Sequence, residues 1–313
     1  LDGNYTFGDP NWYKSWTTGY TDLFLSSPDR FALTKRLTLK VTPYFFHGSG
    51  PAGYGTTTLP ADGPFYSGVQ QKTAPLAGAS YVQDGQVAAG QLWLGTESFT
   101  GINSSLHLDL GHHRLTAGWW YGYTDVQVVE PFAALDQNGN AASFMGRHSL
   151  KLTDGTRLAE WDYHTITQTN ALYLGDDMSY LDDRLKLSVG FKEVMIARNG
   201  TNNQPGPQYK ASYYSAEPLP RVSASYRINP AAMVFMNVQT NYRLPLGSSL
   251  YDAHNNPWDS SYYQKGSNRL KDEYSISEEL GARYFGKYIA GSLTGCHFNF
   301  TNHKVAAYAG SAL

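Results

Sequence analysis

The sequence predicts an all-β protein, an antiparallel up-and-down meander of barrel type. Three observations predict it: long stretches alternate apolar and polar residues, short connections alternate with long ones, and the composition favours sheet. Of the 313 residues, 14% are aromatic and only 16% are charged, against about 25% charged in a typical soluble domain. Helical periodicity appears nowhere over a comparable length.

The alternating stretches predict the strands. In the clearest one, residues 183–197, Leu185 and Leu187 fall on one face while Lys186 and Ser188 fall on the other. The stretches are, in chain order, RLTLKVTPYFF (36–46), SSLHLDL (104–110), DRLKLSVGFKEVMIA (183–197), RVSASYRI (221–228), MVFMNVQTNYR (233–243) and DEYSISEELGARY (272–284). Each therefore has one apolar and one polar face.

The connections alternate between short and long along the chain. The short ones are SSPDR near Pro28 and residues 111–113, 181–183, 229–231 and 286–287; the long ones are residues 48–83, 130–155, 199–218 and 245–269. A meander then carries its tight turns at one end and its large loops at the other, which is typical of outer-membrane barrels. In such a barrel the apolar face meets lipid and the polar face borders a wet lumen.

The strand count predicts an incomplete barrel. Counting from Trp12 gives about ten to twelve strands, whereas a membrane barrel must close to leave no unpaired edge. These strands are therefore expected to need partner strands from outside this chain.

Composition and motifs exclude several function classes. A formal net charge of −2 gives no attraction to nucleic acid, and the single cysteine, Cys296, predicts a small buried hydrophobe. No catalytic motif is present, so we expect neither an enzyme, a cofactor nor a metal site. The other polar candidates are more simply explained as turns or solvated strand ends: His112 and His113, Asp176 and Asp177, and the DQNGN segment (136–140).

The segment RLKDEYSISEELGARYFGKYIAGSLTGCHFNFTNHK, residues 269–304, resembles the late barrel region of TonB-dependent outer-membrane receptors. The residues that carry this resemblance are Glu273, Glu279, Leu280, Gly281, Arg283, Tyr284 and Asn302. Upstream, LPRVSASYRINPAAMVFMNVQTNYRLP (219–245) and YLDDRLKLSVGFKE (180–193) are similar to earlier strands of that family. Glu278 departs from the pattern, since it lies in the apolar register.

The resemblance implies a fold and an activity. Residues 1–313 would form part of a transmembrane barrel of about 22 strands, without the plug domain. The function would be active import across the bacterial outer membrane, in contact with its lipid. The imported solute would be scarce, most often a ferric siderophore, and the energy would come from the TonB complex through the missing plug.

Aromatic residues in the long connections are the candidate ligand contacts. The seven selected residues are Tyr54, Tyr66, Tyr213, Tyr214, Trp258, Tyr262 and Tyr263. Their rings can stack on catecholate or sugar rings and attract cations. The alternative is that they only pack the loops together. Lys210, Lys265 and Arg269 are candidates for contacting an anionic ferric complex.

A second hypothesis stays open from the sequence alone. A soluble all-β carbohydrate-binding or structural module would also be rich in aromatic residues. The two hypotheses differ in where the leucines point, because a soluble module buries them against a second layer, whereas a membrane barrel leaves them exposed.

Overall fold

The computed structural model describes residues 5–6, 19–67, 70–204, 210–251, 253–254, 258, 263–267 and 269–303. The strands are β1 Thr21–Ser26, β2 Asp29–Ala32, β3 Leu37–Pro60, β4 Phe65–Ser67, β5 Gln70–Lys72, β6 Leu76–Ala77, β7 Val82–Gln83, β8 Gln86–Asp109, β9 His113–Ala134, β10 Lys151–Leu152, β11 Ala159–Tyr180, β12 Leu185–Asn202, β13 Lys210–Arg227, β14 Ala232–Arg243, β15 Ala253–His254, β16 Tyr263–Gln264, β17 Glu273–Phe285 and β18 Ala290–Thr301. One 3-10 helix, Gly247–Leu250, follows β14.

One 12-stranded antiparallel sheet dominates the molecule. Its order is β1-β3-β8-β9-β11-β12-β13-β14-β17-β18, with β2 paired to β3 and β7 to β8. Sequential neighbours pair throughout, which is the predicted up-and-down meander. Among the described residues β1 and β18 lie at opposite ends of this order, so the sheet is an open, partial barrel.

The tight turns lie together, at what we call the turn end. They follow β2, β8, β11, β13 and β17. The sequence predicts four of these five turns. The SSPDR prediction was wrong. β1 and β2 both pair with β3, so this segment only interrupts one edge strand, and the reversal comes at residues 33–36. Pro28 has no N–H to donate, which suits an interruption of this kind.

At the opposite, loop end, the strands run further than predicted. β3 extends to Pro60 and pairs with β8 as far as Pro60↔Gln86, although the sequence placed a loop from Gly48. β9 likewise continues to Ala134. Backbone pairing persists there although alternation has faded, because glycine and small residues dilute the apolar pattern without breaking the ladder.

The leucine-bearing face meets no second layer. Leu174, Val189 and Leu280 are 62%, 43% and 69% exposed. We call this the apolar face and its opposite the polar face. On the polar face, an added Cβ at Gly118 would overlap the Tyr173 ring, since Tyr173 lies directly opposite on β11.

Two buried cores form at the loop end of β3, β8 and β9. The first core lies where the connections fold over β3, β8 and β9; its members are Leu59, Phe65, Val87, Ala89, Phe132, Ala134, Leu150, Leu152 and Leu158. A second core contains Leu92, Ala133 and Leu135. Here the protein is stabilised as a soluble domain is, by apolar side chains removed from water. No helix among the described residues is long and apolar enough to cross a membrane.

Candidate ligand-binding site

A trough of about 850 Å³ lies along the polar face. Its wall combines aromatic, amide and charged side chains, including Tyr44, Trp120, Tyr173, Lys192, Arg221 and Asn241. The rings are held in place: Trp120 Nε1 donates to Tyr44 Oη at 2.8 Å, and Tyr173 Oη donates to Asn103 Oδ1 at 2.8 Å. A volume of this size suits a bulky small molecule.

The long connection after β14, residues 244–272, is called the strap. Its described residues, 244–251, 253–254, 258, 263–267 and 269–272, fold onto the polar face at the loop-end side of this trough. Leu244 packs against Ala171, Val194 and Ile196, next to Trp120, which also lines the trough. Further along, Leu250 and Tyr251 are completely buried. Trp258 reaches the first loop-end core and meets the Phe132 ring edge-on at 5.7 Å.

Polar contacts fix the strap to strands β11 and β12. Arg198 donates from Nη1 to the Pro245 carbonyl at 2.7 Å and from Nε to Thr167 Oγ1 at 3.1 Å. The Tyr251 hydroxyl lies 3.0 Å from Thr165 Oγ1, and its ring stacks on Tyr163 at 5.3 Å. Burial raises the pKa of Tyr251. The strap is therefore a docked element with its own apolar core.

Two carboxyl groups, Glu130 and Glu160, are partly buried at the loop end of β9 and β11. Burial raises the pKa of Glu130 to about 8, and the charge of neighbouring Glu160 adds to the shift. Burial also raises the pKa of Glu160 to about 7, while hydrogen bonds from Trp161 and Gln91 oppose that shift. These groups lie beyond the part of each strand that the tight turns border. They can hold protons near neutral pH.

The seven predicted ligand residues are not gathered at one place. Tyr213 is buried beneath the strap, where it donates to Asp272 Oδ1 at 2.8 Å. Tyr214 is the next residue on the same strand, so it points to the opposite face and is 68% exposed. Trp258 is partly buried and packs against the first loop-end core.

Three of the other four lie in strands away from Tyr213 and Tyr214. Tyr66 lies in the short hairpin of β4 and β5, and Tyr54 and Tyr263 lie within β3 and β16. Tyr262 lies outside the described residues. As ligand contacts, all seven stay a prediction.

The polar candidates set aside in the sequence have specific partners. Asp176 Oδ2 lies 2.6 Å from His113 Nδ1, and the Tyr180 hydroxyl lies 2.9 Å from His113 Nε2. Asp177 instead accepts from Ser188 at 2.6 Å on the other face. The sequence missed the first network because its members come from two strands whose register it could not supply.

The remaining candidates are structural or unpaired. Asp136 caps the DQNGN turn by accepting from the backbone N–H groups of Asn138 and Asn140 at 2.8 Å each. Cys296 is exposed on β18, so its prediction as a buried residue was wrong. Within the described residues, no group of three or more metal-binding side chains is present.

Glu278 does lie in the apolar register, opposite Val238 and His297. Its carboxylate is 3.0 Å from His297 Nδ1, and both side chains are more than half exposed. The departure from the pattern is therefore real, and a cross-strand partner accompanies it.

The sheet, its face chemistry and its loop asymmetry can now be set beside known proteins. The sequence profile of the family described as TonB dependent receptor-like, beta-barrel matches residues 1–311. The chain belongs to this family. It is a family of outer-membrane β-barrel receptors rather than a class of enzymes. The predicted resemblance is confirmed, as is the partial antiparallel barrel.

Solved structures show the same fold. The siderophore receptor PiuA from Acinetobacter baumannii matches with a TM-score of 0.58 at 14% identity, over 92% of this chain and 41% of that one. The closed form of the ferric-catecholate import receptor Fiu from E. coli K12 matches with a TM-score of 0.54 at 13% identity, over 93% and 42%. The chain thus spans about two fifths of these structures. No curated protein matches its sequence.

Proposed function

We propose that this chain forms part of the wall of a bacterial outer-membrane receptor that imports a ferric siderophore with energy from TonB. The observation that carries the membrane part is the exposed apolar face. Leu174 and Leu280 on that face are joined by Leu293 of β18, which is 79% exposed. A continuous apolar surface of this kind is unfavourable in water and stable against hydrocarbon.

The strand lengths support a membrane-spanning zone on the apolar face, which we call the membrane belt. A membrane strand needs about 9–11 residues to cross. Three neighbouring strands at one side of the sheet, β14, β17 and β18, have 12, 13 and 12 residues. Each is thus long enough to span the hydrocarbon with little to spare. The soluble all-β alternative would require these leucines to be covered, and in the described structure they are not.

The trough and the strap support a solute-handling role. The strap docks at the loop-end side of the trough, between the loops and the polar wall below. We propose that a solute arriving from the loop side passes the strap on its way to the trough. We infer that energy enters through a plug domain, which residues 1–313 do not contribute, and that the strap borders the solute's route.

The siderophore assignment has narrower support. Two structures of the same fold are named as a siderophore receptor and a ferric-catecholate import receptor. The trough offers aromatic surfaces, Tyr44, Trp120 and Tyr173, beside two cationic side chains, Lys192 and Arg221. Aromatic rings with nearby cations suit an anionic complex built from aromatic ligands.

Uptake measurements test this proposal. The intact protein would be produced in a bacterial host without ferric-catecholate receptors, in matched TonB-proficient and TonB-deficient strains. We expect the ⁵⁵Fe complex of a catecholate to accumulate only in the TonB-proficient strain. Uptake of haem or a hydroxamate complex alone would replace the catecholate assignment. Recovery of the protein outside the outer-membrane fraction would overturn the receptor assignment itself.

A further inference from the structure

The sheet splits between β13 and β14 toward the loop end. The two strands pair only from Arg227↔Met233 to Arg221↔Gln239. Above that point β13 continues beside β12 as far as Lys210, and β14 continues beside β17 as far as Arg243. Within residues 210–251, which the structure describes throughout, no further backbone pair joins β13 to β14.

The sequence explains where the split begins. Pro218 and Pro220 follow directly above the last pair on β13, and neither has a backbone N–H to donate. Side chains bridge the gap instead. Thr240 Oγ1 donates to the Pro220 carbonyl at 2.9 Å, and the Tyr274 hydroxyl donates to the Pro218 carbonyl at 2.7 Å.

The gap forms a cleft of about 500 Å³ that is separate from the trough. Its lining is Ser212, Tyr213, Tyr214, Glu217, Leu270, Lys271, Asp272, Tyr274 and Asn302. Tyrosine and carboxyl side chains therefore dominate the cleft. A polar cleft through the wall above the membrane belt is accessible to a solute from the loop side.

The deepest group in the cleft is a carboxylate with an unused acceptor. Asp272 is 4% exposed; its Oδ1 accepts from Tyr213, while its Oδ2 has no hydrogen-bond donor among the described residues. Its position is fixed, because Asn302 Nδ2 donates to its backbone carbonyl at 3.1 Å. Glu217 also lines the cleft, and burial together with the neighbouring Asp272 carboxylate raises the pKa of Glu217. Two facing carboxyl groups need a proton or a cation between them.

The surrounding charge favours a cation. The charge of Glu193, which lies on the neighbouring strand β12 opposite Pro218, also acts on Glu217. Arg198 is a partly buried cation that feels the charge of Asp272, but its guanidinium donates to the Pro245 carbonyl and to Thr167. Lys271 also lines the cleft and is exposed. The buried acceptor is thus left without a committed cationic partner.

We propose that this cleft is a binding site for a protonated primary amine of an external solute. A metal ion is disfavoured because the described residues offer no group of three metal-binding side chains. An ammonium needs only about three acceptors, which two carboxylates and a tyrosine hydroxyl supply. The rings of Tyr213 and Tyr274 add faces that attract a cation. The site does not depend on which solute the receptor imports.

Binding of 1,4-diaminobutane to the intact protein in detergent, measured by saturation-transfer NMR, tests the proposal, with 1,4-butanediol as the uncharged control. We expect a signal from the diamine and none from the diol. Asp272→Asn and Glu217→Gln should each weaken diamine binding by about tenfold, the effect of one lost charge-assisted hydrogen bond. Asp162→Asn, which alters a carboxylate that accepts from Asn203 outside the cleft, should change nothing.

Heat-modifiable migration in gels establishes that each variant is folded, and Glu217→Gln stands in if Asp272→Asn is not. Equal binding by both cleft variants and the wild type would overturn the proposal, as would displacement of the diamine by an equal concentration of calcium. Diamine binding that appeared only in Lys271→Met would show that the protein's own lysine fills the cleft, which also contradicts an external ligand.

Discussion

Two parts of the wall differ in height. β3 and β8 have 24 residues each and β9 and β11 have 22, whereas β14, β17 and β18 have 12 or 13. We call the first group the high wall and the second the low wall. About 9–11 residues suffice to cross a membrane, so the low wall is little more than a membrane strand with its turns. The high wall carries an additional domain-like layer.

The two walls are stabilised in different ways. The loop-end part of the high wall buries Leu59, Phe132 and Leu150 completely, in a core of ordinary globular character. The low wall has exposed apolar residues on its apolar face, and β18 is exposed along its whole length. One continuous sheet is therefore stabilised in two ways. The loop end of the high wall buries apolar side chains within the protein, whereas the low wall depends on what surrounds its apolar face.

The largest effect is expected when a buried aromatic side chain is removed from the high wall. Phe132→Ala deletes a fully buried side chain and should cost the loop-end layer about 3–5 kcal/mol. Hydrogen exchange should rise across residues 135–158 and stay unchanged at the turn end. Phe31→Ala, at a 51% exposed position, is the matched control and should have little effect. Equal loss of protection at both ends would show one cooperative unit.

A charge placed on the apolar face tests the membrane belt. Leu174→Arg should destabilise the protein in lipid by about 2–4 kcal/mol, because an arginine near the middle of the hydrocarbon is poorly solvated. Trp93→Arg alters a residue of similar exposure, 53%, at the loop end, and should cost less than about 0.5 kcal/mol. Urea-dependent unfolding in lipid vesicles measures both. If the two variants had the same urea midpoint of unfolding, the apolar face around Leu174 would not be a membrane belt distinct from the loop-end layer.

The pH dependence of the high wall follows from Glu130 and Glu160. Their pKa values are raised to about 8 and 7, against 4.5 in the unfolded chain, so the folded layer holds more protons between these values. Its stability is therefore full below pH 4.5, falls as the pH rises from 4.5 through 7 to 8, and is lowest above the folded-state pKa values. We expect a loss of roughly 1–2 kcal/mol, seen as faster proteolysis of residues 135–158.

Glu130→Gln should flatten that pH profile, because the amide needs no proton to be buried. The neighbouring carboxyl then titrates without a second charge beside it. An unchanged profile in this variant would assign the pH dependence to other groups. The turn end of the high wall should show no comparable change over the same range.

The smallest effect is expected at the anchor of the strap. Arg198→Lys keeps the charge but cannot make both hydrogen bonds to Pro245 and Thr167, so docking should weaken by about 1 kcal/mol. Protease cleavage within residues 244–272 reports the change. Arg157→Lys alters a half-exposed pair, 3.9 Å from Asp162, and should leave cleavage as it was. Equal cleavage in both variants would mean that apolar packing alone holds the strap.

Local alternation predicted most of the sheet and few of the site contacts. The strand order and faces follow from a period of two, which residues 185–191 keep without interruption. The loop-end extensions were missed because residues such as Gly53 and Gly90 carry no apolar signal, although their backbones pair. The strap was not foreseen as a docked element, since its contacts to Arg198 and Thr165 depend on distant strands meeting.

The choice of aromatic candidates was also limited by the lack of spatial information in the sequence. Aromatic content identified Tyr213 and Tyr214 together, yet a strand must send neighbours to opposite faces. The cleft carboxylates Glu217 and Asp272 received no attention because 55 positions of sequence separate them, and only the split beside Pro218 and Pro220 brings them together. Short-range sequence patterns predict the face on which a residue lies and the order of the strands. They do not predict contacts between segments that are distant in sequence.

The ring of Tyr173 seated over Gly118 has a consequence for assembly. A slip of two residues between β9 and β11 would preserve every apolar and polar alternation, so hydropathy alone cannot reject it. The same slip would place Tyr173 opposite Thr116 or Trp120, neither of which leaves room for the ring. Gly118 thus selects one register during folding, because only the alignment that places Gly118 opposite Tyr173 has room for the ring.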